Sequence, residues 1–169
     1  MVQAAQAGDR AAFGVLYERF SGYVYSILLA RLPRQAAEDL VQDVFLQALE
    51  RLPSLREPAA FPGWIAAIAR HRVTDSVRKP QADQMNDDIN NPDRRAARDA
   101  SPHARAEAAE IIEAIRRLPA AYRETLVLRL VQGLTGPEIA DVTGLTPDSV
   151  RVNLHRGVKL LRESLGAPG

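Results

Sequence analysis

The chain has 169 residues, 25% of them charged and 46% hydrophobic, and a formal net charge of only +1. That suits one medium or two small soluble domains, and any affinity for nucleic acid has to come from local patches. The absence of cysteine excludes a disulfide scaffold, a cysteine-based zinc site and direct thiol redox sensing; no apolar signal-peptide core and no run of membrane-spanning length is present.

A first helix is predicted from about Asp9 to Leu32, because Phe13, Leu16, Tyr17, Phe20, Val24, Ile27 and Leu28 recur at spacings of three and four. Pro33 ends it. A second runs from about Gln35 to Leu52 with Leu40, Val41, Val44, Ala48 and Leu49 inward. Its polar face carries Glu38, Asp39, Asp43 and Glu50, with no lysine or arginine between them. A third begins near Phe61-Pro62-Gly63-Trp64 and reaches about Lys79. Its first half is apolar (Trp64, Ile65, Ile68), and its second half carries Arg70, His71, Arg72, Arg78 and Lys79 against one acid, Asp75. Period-two alternation is absent, so no strand is expected.

Composition changes at Pro80. From there to about Arg105, Met85 and Ile89 are the only sizeable apolar residues, and Pro80, Pro92 and Pro102 interrupt any helix. Such a stretch buries too little to offset its ordering entropy and is expected to be a flexible linker. Helices resume near Ala106, with Ile111, Ile112, Ile115 and Leu118 inward, then Tyr122, Leu126, Val127, Leu130 and Val131 up to Gly133.

The stretch from Thr135 to Leu165 reads as a helix-turn-helix. Thr135 and Glu138 have capping-box spacing, and Gly144 suits a left-handed stop. Thr146-Pro147 restarts a helix as N-cap and first turn. Val150, Leu154, Val158 and Leu161 face inward. The remainder of that helix holds Ser149, Arg151, Asn153, His155, Arg156, Lys159 and Arg162, with no acid from Ser149 to Arg162. A helix of this kind enters a major groove N-terminus first and meets bases and phosphates. The expected fold class is therefore all-α: two small helical domains, 1–79 and 106–169, joined by a linker, 80–105.

Three stretches in this order carry a resemblance. AAEDLVQDVFLQALERL at 36–52, FPGWIAAIARHRVTDSVRK at 61–79 and the region 111–165 together resemble the extracytoplasmic-function (group 4) sigma factors of bacterial RNA polymerase. The resemblance implies that Glu38, Asp39, Gln42 and Asp43 dock on core polymerase, which is built around its beta and beta-prime subunits. It implies that Trp64, Arg70, His71, Arg72, Arg78 and Lys79 melt and read the −10 promoter element. It places Ser149, Arg151, Val152, Asn153, His155, Arg156, Lys159 and Arg162 on the −35 element. A cytoplasmic location follows, and an anti-sigma partner, membrane-anchored in many members, belongs to the same picture. The chain departs from the family pattern at His71, often Asn, and at Val152 and Asn153, often Ser and Arg. Gly136-Pro137 also replaces bulkier residues. These departures bear on promoter preference.

No Ser/His/Asp arrangement, glycine-rich phosphate loop or paired catalytic carboxylate stands in a plausible context, so neither an enzyme nor a cofactor is expected. The three histidines, His71, His103 and His155, lack metal-ligand spacing. A LuxR-type regulator has a similar output helix, but it usually adds a ligand or receiver domain, which the N-terminal half does not suggest. A helical adaptor that reads no DNA would leave the basic helix unexplained. The linker adds a geometric constraint. About 26 residues reach roughly 86 Å fully extended and roughly 28 Å as a relaxed coil. Two sites two helical turns apart on DNA lie about 70 Å from each other, so the linker alone cannot set their spacing.

Overall fold

The first long helix starts where a side chain can satisfy its orphan amides: Asp9 accepts from the backbone N–H groups of Ala11 (2.9 Å) and Ala12 (3.1 Å). The computed structural model describes residues 1–78 and 101–166, and among them it has eight α-helices and no strand. These are α1 Val2–Gln6, α2 Arg10–Leu29, α3 Arg34–Arg51, α4 Phe61–Arg78, α5 Pro102–Arg116, α6 Ala120–Leu130, α7 Gly136–Thr143 and α8 Pro147–Ser164. The all-α reading holds. Most of the expected linker, 80–100, lies outside the described residues.

Helices α2, α3 and α4 pack around a core in which Leu16, Ile27, Leu28, Val44, Leu52, Phe61 and Ile65 are each at most 1% exposed. Burial of an aliphatic or aromatic side chain of this size contributes about 1.5–3 kcal/mol. Phe20 meets the Phe61 ring edge-on at 5.0 Å, which ties the middle of α2 to the start of α4. Two short 3-10 turns, Leu52–Ser54 and Pro58–Ala60, link α3 to α4. The periodicity missed α1, whose five residues are too few to show a repeat. It is held by Gln6, which donates from Nε2 to the carbonyls of Leu52 (3.1 Å) and Leu55 (2.6 Å).

Five expected core residues lie at the margins of their helices instead. Tyr17, Leu49, Ile111, Leu130 and Val131 are 38%, 45%, 36%, 48% and 44% exposed. Tyr17 lies against the ring of Phe45 at 4.6 Å. The onset of α5 also differs from expectation. Pro102 does not interrupt that helix but stands in its first turn behind Ser101, whose hydroxyl accepts from the Ala104 N–H.

The C-terminal domain closes as α6, α7 and α8 bury Leu126, Val127, Leu128, Ile139 and Val150. The capping box is complete, because the Glu138 carboxylate accepts from the Thr135 backbone N–H (2.7 Å) while the Thr135 hydroxyl accepts from the Glu138 N–H (3.4 Å). Gly144 takes the left-handed conformation at φ 72°, and Thr146 caps α8 by accepting from the Ser149 N–H. The two domains also touch. The Arg116 guanidinium donates to the carbonyls of Leu29 (3.1 Å) and Leu32, at the C-terminal end of α2. A cation there complements the free carbonyls and the negative end of the helix dipole.

Candidate nucleic-acid interface

Three separate surfaces hold the residues singled out from the sequence. On α3, Asp39 and Gln42 are exposed and Glu38 and Asp43 half-buried, all on one side of the helix. Arg34 joins this side and donates to Glu38 at 3.0 Å, so the net acidity rests on Asp39, Asp43 and Glu50. The same side continues into Leu46, 61% exposed, and Leu49. Sequence reasoning missed this apolar continuation. Its signal was present in the spacing 39, 42, 46, 49, but the inward assignment of Leu49 concealed it.

On α4 the basic residues divide. Arg70, His71 and Arg78 are exposed, and His71 Nδ1 lies 3.1 Å from the Asp75 carboxylate one turn on. Arg72 points the other way: it is half-buried, and its Nε is enclosed without a hydrogen-bond partner. Trp64 packs on Phe61 with ring centroids 5.7 Å apart and lines a cleft with Pro62, Gly63, Thr143 and Gly144. It is half-buried at that position. Lys79 lies outside the described residues.

Arg70 is not free. It donates to Glu124 of α6 from Nε (3.2 Å) and Nη2 (2.8 Å), and Arg31, in the turn after α2, donates to the same carboxylate at 2.9 Å. Burial pushes the Glu124 carboxyl upward, but the two arginines more than reverse this and hold it below its ordinary value. Beneath them Tyr23, 3% exposed, is pushed up to about 12, first by burial and then by the Glu124 charge. Nothing in the local sequence around residue 124 signals this carboxylate, whose partners lie 54 and 93 positions away.

On α8 the buried stripe is Val150, Gly157 and Leu161. Ser149, Arg151, Val152, His155, Arg156, Lys159 and Arg162 are exposed, and Asn153 is half-buried at the edge of the stripe. Arg151 pairs with Asp148 at 3.1 Å, with both side chains more than three-quarters exposed; such a pair contributes little and yields readily to another anion. Gly157 lets α8 approach α6. A Cβ there would lie 3.0 Å from Leu126 Cδ1 and 3.2 Å from Tyr122 Cβ. A lone glycine in an otherwise regular helix was the available signal for this contact.

The chain matches the Sigma-70 region 2 family over residues 16–82 and the Sigma-70 region 4 family over residues 108–161. It is 33% identical over 179 residues to the ECF RNA polymerase sigma factor SigD of Mycobacterium tuberculosis, an alignment covering 100% of this chain and 84% of that protein. It is 32% identical over 173 residues to the ECF RNA polymerase sigma factor BldN of Streptomyces coelicolor, covering 98% of this chain and 64% of BldN. Among solved structures it resembles CnrH in complex with the cytosolic domain of CnrY, with a TM-score of 0.61, 25% identity and coverage of 99% and 96%. These likenesses run through the helices that carry the acidic face, the α4 arginines and the basic α8, and the chain belongs to the ECF sigma factors of RNA polymerase.

Proposed function

We propose that this sigma factor divides its work among three helices. The α3 side, Asp39, Gln42, Asp43 and the exposed Leu46 and Leu49, docks on core RNA polymerase, with Glu38 at its border. An acidic rim around an apolar patch suits a basic partner surface, which steers encounter, with an apolar contact to hold it. Arg70, His71, Arg78 and Lys79, with Trp64 at the upstream edge, bind the melted −10 strand. Arginine contacts phosphate, and exposed rings and guanidinium planes stack on unpaired bases. Arg72 supports the helix from its inner side. Ser149, Val152, Asn153 and Arg156 lie toward the base edges of the −35 element, with Arg151, His155, Lys159 and Arg162 on flanking phosphates. The observation that carries this reading is that the acidic side and the two basic surfaces stand on three different helices, so all can be engaged together.

The protein is a recruiting and melting factor rather than a catalyst, and no cofactor enters the proposal. It acts in the cytoplasm, where polymerase and promoter DNA are; among the described residues no helix is long and apolar enough to cross a membrane. CnrH was solved with the cytosolic domain of another protein, and an anti-sigma partner of that kind is part of this proposal. Run-off transcription with purified core enzyme on a promoter library tests the whole. Transcripts with a shared upstream pattern are expected only when core and this chain are combined. Tight, specific promoter binding by the chain alone would indicate a conventional regulator, and core binding without promoter selection an adaptor. Within that assay, Arg70→Ala with His71→Ala is expected to leave polymerase recruitment intact and to lower permanganate reactivity of bubble thymines. Normal melting would reject the α4 assignment.

A further inference from the structure

The seam between the two domains lies on the surface assigned to the −10 element. Glu124 sits at its centre, its side chain 14% exposed, accepting three N–H bonds from two arginines of the other domain, Arg70 on α4 and Arg31 in the turn after α2. Around it the seam is closed by Arg19 of α2, paired with Asp141 of α7, and by Arg116 on the end of α2. Gly22 faces Gln132 so closely that a Cβ would lie 3.0 Å from its Oε1. The turn of the helix-turn-helix at Thr143 and Gly144 shares a cleft with Trp64.

The chemistry at Arg70 carries the argument. A guanidinium fork matches a carboxylate and a phosphate in the same planar, two-point way. Glu124 takes both donors of that fork, so it stands where a phosphate of the melted strand would bind. The geometry requires this contact to open in use. Domains joined at hydrogen-bond distance cannot occupy two sites about 70 Å apart on one duplex. The buried apolar residues of the two domains run on as one cluster, so opening also exposes apolar surface, while the Arg19–Asp141 pair is exposed at both ends, 43% and 62%. An ion pair exposed in this way contributes little to holding the seam shut.

We propose that Glu124 is an internal phosphate mimic: in the free protein it clasps Arg31 and Arg70, seats the C-terminal domain over the −10-reading face, and must be displaced before single-stranded DNA binds there. This rests on the assignment of Arg70 to the −10 strand. The clasp suppresses DNA binding away from polymerase, because apparent affinity falls with the fraction of molecules that are open.

The test uses the full chain. With no native cysteine, Ala11→Cys on α2 and Ser164→Cys on α8 accept unique spin labels. Electron–electron resonance is expected to show one narrow, short distance in the otherwise unaltered protein. Glu124→Ala and Arg31→Ala, on opposite sides of the seam, should each broaden and lengthen it. Affinity for a fluorescein-labelled oligothymidylate should rise about tenfold in both, although one substitution makes the net charge more positive and the other less. Circular dichroism checks the helices, and Glu124→Gln, which keeps the shape and loses the charge, replaces any variant that loses helicity. A broad distance distribution before substitution, or a narrow one after it, would overturn the clasp. So would an affinity that follows net charge, rising for Glu124→Ala and falling for Arg31→Ala. None of these results touches the −10 assignment, which the permanganate footprint reads separately.

Discussion

The two domains hold their basic helices in opposite ways. Helix α8 is anchored by a narrow stripe, Val150, Gly157 and Leu161, and leaves the rest of its surface open. Helix α4 is packed along most of its length, with six buried residues from Phe61 to Val73, and its leading arginine already holds a carboxylate from the other domain. A basic sequence alone would rank the two alike. The difference lies in what is next to each helix: α8 faces solvent, and α4 faces the partner domain. Availability of a charged site is thus a tertiary property, and only the chemistry of the site is local.

The comparison can be broken most severely at the surface that neither basic helix provides. Asp39→Arg with Asp43→Arg on α3 is expected to abolish holoenzyme assembly at unchanged helicity, because like charges set against each other cost several kcal/mol. Native gel shift with core enzyme reads this, and undiminished core affinity would remove α3 from the docking role. A paired glycine experiment sharpens the contrast in packing. Gly157→Ala should destabilise the C-terminal domain by about 1–3 kcal/mol, since the new methyl meets Leu126 and Tyr122. Gly14→Ala in α2, where nothing lies within 4 Å of the added Cβ, should stabilise by about 0.5–1 kcal/mol. Urea denaturation of both variants gives the two signs, and equal signs would mean that the seat of α8 is loose.

At the level of recognition, Arg156→Ala should cost about 1–3 kcal/mol of discrimination at one −35 base pair. Lys159→Ala should weaken all sequences alike and reduce the salt slope by about one. Promoter selection at two salt concentrations separates them, and a sequence-selective loss for Lys159→Ala would reverse the assignment. The smallest effect concerns the scaffold helix. Hydrogen bonds from the Thr135 hydroxyl and backbone N–H hold the Glu138 carboxyl below its ordinary value of 4.5. Its stabilising contribution is therefore complete above that value and disappears as pH falls through the lowered one. Glu138→Gln should remove this part of the acid sensitivity, visible in thermal melts across the acid limb, and an unaltered pH profile would detach the cap from stability.

Much of the fold was legible because local chemistry dictates it. Thr135, Glu138, Gly144, Thr146 and Pro147 each act within four residues, and all are found in the roles their positions imply. Pro102 was read as an interruption because a proline ends a helix as readily as it starts one, and only the Ser101 cap decides between the two. Tyr17, Leu49, Ile111, Leu130 and Val131 were placed inward because a 3.6-residue repeat defines a stripe but not its edges. For the site, residue types and helix assignments were readable, whereas the inward turn of Arg72 and the exposure of Leu46 depend on how neighbouring helices cross. Glu124 was illegible for a stronger reason: Arg31 and Arg70 come from the other domain, and no pattern near residue 124 announces them.

The 54 positions separating Arg70 from Glu124 also set an order of events during synthesis. A ribosome adding about 5–20 residues per second delivers Glu124 roughly 3–11 s after Arg70. The Gln6 bonds to Leu52 and Leu55 can form well inside that interval, so the first domain is able to close before its cover has been made. Each newly made chain therefore passes through a few seconds in which Arg70 stands bare of its carboxylate, an interval that a finished molecule re-enters only by opening.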